Sequence, residues 1–211
     1  MAESEDQAAA ARAAREHGVR ELLTGGKAAD AAAQAIELYG GEVLGFLHAV
    51  ARDDDLAAEA FSVFSEDLLR GLPTFRWDAS LRTWCYALAR NALHRLRRDP
   101  RRRARNNVSL SNQAAGISAI VEQVRTATLP FLRTEVKDEL RRLRESLDPD
   151  DHALIVLRID RKMSWKDIAR ALPGDDGQEL ERRAATLRKR FERAKTMLRE
   201  MATARGLITG D

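Results

Sequence analysis

Apolar residues recur at steps of three and four along most of this chain, and no segment keeps the steady step of two that marks a strand. From Ala28 to Ala51 the stripe runs through Ala32, Ile36, Tyr39, Val43, Phe46, Leu47 and Val50, with Gly40 and Gly41 inside it as a candidate interruption. A second face carries Ala60, Phe61, Phe64, Leu68 and Leu72 up to Pro73, which cannot donate to a helix ladder and restricts the residue before it. Asp78 and Ser80 offer capping side chains for a third helix, whose inward stripe is Leu81, Trp84, Cys85, Leu88, Ala92 and Leu96 and whose stop is Asp99-Pro100.

The stretch 101–130 opens with arginines and continues through NNVSLSNQAAG, the composition of a flexible linker, with room for a short helix near Ile120 to Val124. Beyond it, Val136, Leu140, Leu143 and Leu147 mark one helix, and Asp148-Pro149 supplies an N-cap and a first-turn proline for the next, Asp150 to Asp160. Ser164 to Asp167 has the form of a capping box that turns Ile168, Ala169 and Leu172 inward, and Pro173-Gly174 breaks that helix. The last stripe is Leu187, Phe191, Ala194, Leu198 and Met201. Residues 1–26 are Ala-rich with few large side chains to bury, which predicts a loosely attached extension. The expected fold is all-α: an extension over 1–27, a small helical domain over 28–98, a flexible linker over 99–132, and a second domain over 133–205 containing a helix-turn-helix.

Composition narrows the chemistry. A chain of 211 residues with 33% charged positions has length for one or two domains and broad solvated faces. Cys85 is the single cysteine, so an intrachain disulfide and a thiolate zinc cluster are excluded, and its place in the inward stripe suits a buried structural thiol. His17, His48, His94 and His152 are scattered, with no pair at metal-ligand spacing. There is no glycine-rich phosphate loop, no GxSxG and no paired-carboxylate motif, so the reading is of a non-enzyme without a cofactor. The longest aliphatic run, Ala153 to Leu157, is far short of the ~20 residues that span a bilayer, and the first residues lack the pattern of a secretory leader. The expectation is a cytoplasmic chain with no membrane insertion.

Charge changes the picture more than its total of +3 suggests. From Arg76 to Arg105 ten arginines stand against Asp78 and Asp99, a net +8 on thirty residues. A polyanion would neutralise such a run, and Trp84 and Tyr86 near the helix start would give bases a surface to stack on, which points to strands at least partly opened. The same rings also suit a hydrophobic core, with the arginines as a solvated face; for Trp84, which shares a stripe with Leu88, the two uses weigh equally. From Gln178 to Arg199 eight bases stand against Glu179, Glu181 and Glu192, a net +5. A short capped helix, a Gly-containing turn and a longer cationic helix is the arrangement that sends the second helix into a major groove, although Pro173 to Ala185 is longer than the usual turn, and an ordinary amphipathic surface helix has the same composition. Asp53, Asp54, Asp55, Glu59, Glu66 and Asp67 crowd one short segment without a base among them. That segment is either a solvated face or a docking face for a partner with basic helices.

These pieces, in this order, resemble the bacterial RNA polymerase sigma factors of the extracytoplasmic-function type, in their minimal two-domain form. The resemblance rests on Gly71-Leu72-Pro73-Thr74-Phe75-Arg76 with the run Ser80 to Asn91, on Asp150 to Arg158 with Met163 to Ala169, and on Thr186 to Ala194. It covers roughly 28–98 and 133–202. It implies a factor that binds core RNA polymerase, directs it to promoters and helps separate the strands in transcription initiation. By this resemblance Arg76, Asp78, Ser80, Arg82, Thr83, Trp84, Tyr86, Arg90 and Asn91 would take up the minus-ten element as single strand. Thr186, Arg188, Lys189, Arg190 and Arg193 would read the minus-thirty-five duplex. Glu59, Phe61, Phe64, Asp67 and Leu68 would clasp the clamp helices of the largest polymerase subunit, the flap of the second largest subunit would be a further contact, and an anti-sigma protein would hold the factor inactive. The chain departs from the family at Ser62-Val63, where Gln-Glu is usual, and in the length of the turn before Thr186. A free-standing helix-turn-helix regulator without polymerase binding is the alternative, and an adaptor that binds only a protein partner is a third reading.

Overall fold

The computed structural model describes residues 2–99, 118–126, 138–172 and 179–207, and every element among them is helical. In chain order these are α1 (Ala2–Thr24), α2 (Ala28–Ala51), α3 (Asp54–Gly71), α4 (Leu81–Arg98), α5 (118–126), α6 (Asp138–Glu145), α7 (Pro149–Ile155), α8 (Trp165–Ala171) and α9 (Leu180–Ala204). A single 3-10 turn, Leu72–Thr74, follows α3, and one π-helical turn, Val156–Asp160, extends α7. No helix among the described residues is long and apolar enough to cross a membrane. The arginine run Arg101 to Arg103, Val136 and the Pro173-Gly174 break lie outside the described residues.

Local sequence explains the helix starts. The Asp53 carboxylate accepts from the Leu56 amide at 2.7 Å, the Ser80 hydroxyl from Thr83 at 3.1 Å, and the Asp148 carboxylate from Asp150 at 3.0 Å ahead of Pro149. Ser164 accepts from the Asp167 amide at 3.1 Å while its hydroxyl donates back to the Asp167 carboxylate at 2.7 Å. The helix α2 passes unbroken through Gly40 and Gly41. Gly40 is a place of close approach: a Cβ there would sit 3.2 Å from side-chain atoms of both Ile36 and Val124, so its absence lets α5 lie close to α2.

Three expectations change. Residues 10–24 are not a loose extension, because Val19 is fully buried against the core and Glu16 is 8% exposed. The inward face of α4 is rotated from the expected stripe: Thr83, Tyr86, Ala89 and Leu93 are buried with Leu81, Cys85, Ala92 and Leu96, while Trp84 and Leu88 are half-buried. Among the described residues the buried side chains of the two expected domains are not separated into two cores. The buried residues form one continuous cluster from Val19 and the α2–α4 layers through Leu154, Leu157 and Ile168 to Phe191. α4 is the shared wall, with α2 and α3 on one side and α8 on the other.

Polar ties cross the same junction. The Arg52 guanidinium, on a residue in the left-handed region at φ 61° that ends α2, donates to the Leu147 carbonyl at 2.7 Å. Arg82 donates to the Arg161 carbonyl at 3.1 Å, and Arg90 pairs with Asp150 at 2.7 Å.

Candidate nucleic-acid interface

The turn after Pro73 brings the Phe75 and Trp77 rings into one row with Trp84 of α4. The Phe75 and Trp84 rings stack at 4.5 Å between centroids and 18° between planes, and Trp77 tilts against Phe75 at 5.0 Å. Trp84 lies flush on Gly71, where a Cβ would come within 3.0 Å of its ring, so a larger residue would displace the stack. Trp77 holds φ 61°, a conformation that bulky side chains rarely adopt, and local strain of that kind persists only where the surroundings over-determine it. Beside the row is an open cavity of about 440 Å3, bordered by Arg76 and Asp78 from the loop, Thr83 and Trp84 from α4, and Arg170 from α8. Arg76 and Asp78 are exposed.

Further along α4 the expected strand-contacting residues divide. Ser80 is spent as the helix cap, its hydroxyl also 2.8 Å from Thr83 Oγ1, and Thr83 is buried. Tyr86 is not an exposed stacking platform. Its ring is 1% exposed, packs edge-on against Phe46 at 5.4 Å, and its hydroxyl donates to the Glu42 carboxylate at 3.1 Å. Burial, then the nearby Glu42 charge, pushes the Tyr86 phenol above its ordinary range. The Arg82 side chain is 13% exposed and bonds Glu42 at 2.6 Å. Burial works to lower that guanidinium, but Tyr86 and Glu42 outweigh it and leave it raised. Arg90, 12% exposed at its side chain, is held by Asp150. Asn91 is exposed and, with His94 and Arg95, lines a second open cavity of about 530 Å3 between α3 and α4.

On the acidic helix α3 the apolar half of the expected docking set turns inward. Phe61, Phe64 and Leu68 are all fully buried, with Phe61 and Phe64 rings 5.6 Å apart, because α2 and α4 both need that face as core. Asp67 is ion-paired to Arg95 on α4 and lies 3.9 Å from Arg70, and Glu59 is half-buried. The acidic side chains that reach solvent most freely are Asp53, Asp54 and Asp55 at the start of the helix.

No family model, curated protein or solved structure compared with the chain gives a match.

α9 presents its charge differently. Thr186, Arg188, Lys189 and Arg193 are exposed, opposite the buried Ala184, Phe191 and Ala194. Lys189 and Arg193 have no ion pair among the described residues. Arg190 is turned back to α7, where it pairs with Asp151 and, at 3.1 Å, with Asp148. Arg188 lies over the Trp165 ring at 5.6 Å, with Arg158 over the same ring at 4.9 Å and Phe191 edge-on to it at 5.3 Å. Trp165 thereby fixes α8 to α9 and orients Arg188.

Several residues that organise this surface carry no motif. Glu42 and Asp150 belong to other elements than the arginines they pair with, Arg170 reaches the cavity from α8, and a sequence stripe cannot reveal neighbours set by packing. Glu16 and Arg20 had one available signal, the short i, i+3 spacing of Val19 and Leu22 that gives α1 a narrow inward edge. Cys85 is fully buried, and desolvation, with Glu16 and Glu42 near, pushes its thiol well above the ordinary range, which leaves it inert. Among the described residues no cluster of His, Cys, Asp and Glu could hold a metal ion.

Proposed function

We propose that this protein is a promoter-specificity subunit of bacterial RNA polymerase, a sigma factor of the extracytoplasmic-function type acting in the cytoplasm. The observation that carries the reading is the stacked Phe75–Trp84 pair beside an open cavity bordered by Arg76 and Arg170. Rings at the edge of a cavity, with guanidinium groups next to them, supply base stacking and phosphate neutralisation together, which is the chemistry of single-strand uptake. Under this reading residues 28–98 are the domain that binds core polymerase and takes up the opened minus-ten strand. The α8–α9 pair is a helix-turn-helix that docks Thr186, Arg188, Lys189 and Arg193 against the minus-thirty-five duplex. Arg90 is held by Asp150 of the second region, so its use on DNA requires that region to leave α4, whereas Arg82 would also have to give up Glu42 of α2. The clamp helices of the largest subunit would meet Glu59 and Asp67, the flap of the second largest subunit would meet the second region, and an anti-sigma protein is the expected regulator.

Run-off transcription with purified core polymerase and the gene's own upstream region tests this. A discrete start that appears only when the chain is added is the expected result. The burial of Phe61, Phe64 and Leu68 favours a second reading, a free-standing helix-turn-helix regulator, because it removes most of the apolar contact set for polymerase. Specific duplex binding with neither core capture nor a new start would establish that second reading and overturn the first.

A further inference from the structure

We propose that α1 is a latch on the aromatic loop, with Glu16 and Arg20 as positioning residues that hold residues 75–80 and the first turn of α4 in their present conformation. The Glu16 carboxylate is the first tie. One oxygen accepts from the Tyr39 hydroxyl at 2.7 Å and the Arg82 amide at 3.1 Å, and the other from the Leu81 amide at 3.0 Å. Leu81 and Arg82 are the first two residues of α4, whose amides have no acceptor within their own helix. Thr83 donates to the Ser80 hydroxyl and Trp84 to the Ser80 carbonyl, so all four opening amides of α4 are satisfied, two of them only by a side chain sixty-five and sixty-six positions earlier. A carboxylate buried this far needs partners of that kind, and a helix start favours negative charge. Burial, then the hydrogen bond to Glu16, pushes the Tyr39 hydroxyl far above its ordinary range, which keeps it protonated and donating.

Arg20 stands one helical turn beyond Glu16, its guanidinium 5.5 Å from the centre of the Trp77 ring. Trp77 is the strained residue of the loop, and it leans on Phe75, which stacks on Trp84. The contacts therefore run without a break from α1 through Arg20, Trp77 and Phe75 to Trp84. Val19, fully buried between the two ties, fixes the rotation of α1 that aims Glu16 at α4 and Arg20 at the loop. The latch itself stands on this geometry; that it tunes strand opening rests on the proposed function.

The test separates the two. The full chain has three tryptophans, so Trp84→Phe with Trp165→Phe leaves Trp77 as the sole reporter. In that background Arg20→Met should raise the population of the released loop by about two- to fivefold, the range for an exposed cation over a ring, read as stronger acrylamide quenching of Trp77. Arg20→Lys keeps a cation over the ring and should restore the protection, which a purely steric role for Arg20 would not predict. Glu16→Gln should loosen the loop in the same direction, and if that variant fails to fold, the Arg20 pair decides. Quenching of Trp77 that is the same for Arg, Lys and Met at position 20 in folded protein overturns the latch. With the three tryptophans kept, Arg20→Met is then assayed for permanganate-reactive thymines with core polymerase. If even the unsubstituted chain opens no promoter while the quenching result holds, the functional reading falls and the latch stands.

Discussion

α4 and α9 are both strongly cationic helices with one buried stripe, yet they treat their charge in opposite ways. On α4, Arg82, Arg90, Arg95 and Arg97 each meet an acceptor from another element: Glu42, Asp150, Asp67 and the Val50 carbonyl. On α9 the guanidinium of Arg190 turns back to α7, whereas Arg188, Lys189 and Arg193 face outward. The difference follows from position in the fold. α4 is packed by α2, α3 and α8, so most of its circumference lies near carboxylates and carbonyls of its neighbours. α9 packs mainly on α8 and, less, on α6 and α7, and keeps a free side. A run of arginines therefore marks an anion-binding surface only where the helix has solvent on the face that carries them.

The largest expected break in this contrast is in stability. Tyr86→Ala removes a ring that is 1% exposed and should cost about 3–5 kcal/mol, as large-to-small core changes do. Lys189→Ala should cost less than about 0.5 kcal/mol, since it touches no such feature. Urea unfolding midpoints of the two variants measure the gap. Equal losses would dissolve the distinction between an inward and an outward helix.

Next in size is a pH effect at the junction between the regions. His152 of α7 is buried, and desolvation, then the nearby charges of Arg52 and Arg144, lower its pKa to about 4 from the ordinary 6.5. Between those values the unfolded chain binds the proton and the folded chain does not, so stability falls as pH drops from 6.5 towards 4 and levels off below. The loss attributable to this group is up to roughly 3 kcal/mol. His152→Leu should remove that part of the slope, seen by comparing unfolding free energies of both proteins at pH 7 and pH 4.5. Parallel curves would mean that the imidazole takes up its proton in the fold as readily as in the unfolded chain.

The ion pairs sharpen the comparison at a finer scale. A double-mutant cycle on Arg90 and Asp150, which join the two regions, should give a coupling of about 1–2 kcal/mol. The same cycle on Lys195 and Glu192, an exposed pair on α9 at 2.9 Å, should give about 0.2–0.5 kcal/mol. If the first coupling is no larger than the second, the Arg90–Asp150 tie adds nothing to holding the two regions together.

Much of this molecule is legible in its sequence. Helix periodicity, the caps at Ser80, Asp148 and Ser164, and Pro73 just beyond the end of α3 mark the elements, since each depends on residues within a few positions of each other. Rotation of α4 is less legible: Tyr86 and Trp84 both read as amphipathic rings, and only the neighbours decide that Tyr86 meets Phe46 while Trp84 meets Phe75. On α3 the same six acids flag a docking face, yet the hydrophobic residues between them serve the core. The ties Glu16–Leu81 and Arg90–Asp150 span sixty-odd residues and have no signature in local pattern. α1 is the hardest to read, because an Ala-rich helix with one fully buried valine shows almost no stripe.

The smallest expected effect is on the salt dependence of duplex DNA binding, and it bears most directly on which helix faces the phosphates. Each phosphate contact adds about 0.9 to the slope of log K against log salt. Lys189→Ala and Arg193→Ala should each reduce the slope of the full chain by about that amount, which is about three- to fourfold in affinity across a fourfold change in salt. Arg90→Ala should leave the slope unchanged, because that guanidinium is already neutralised by Asp150 and adds no free cation for a duplex to capture. Fluorescence anisotropy with a labelled duplex at four salt concentrations resolves a change of this size. A slope that drops for Arg90→Ala and holds for Lys189→Ala would reverse the assignment: α4 would be the helix that meets duplex phosphates, and the ties that now occupy it would have to open on binding.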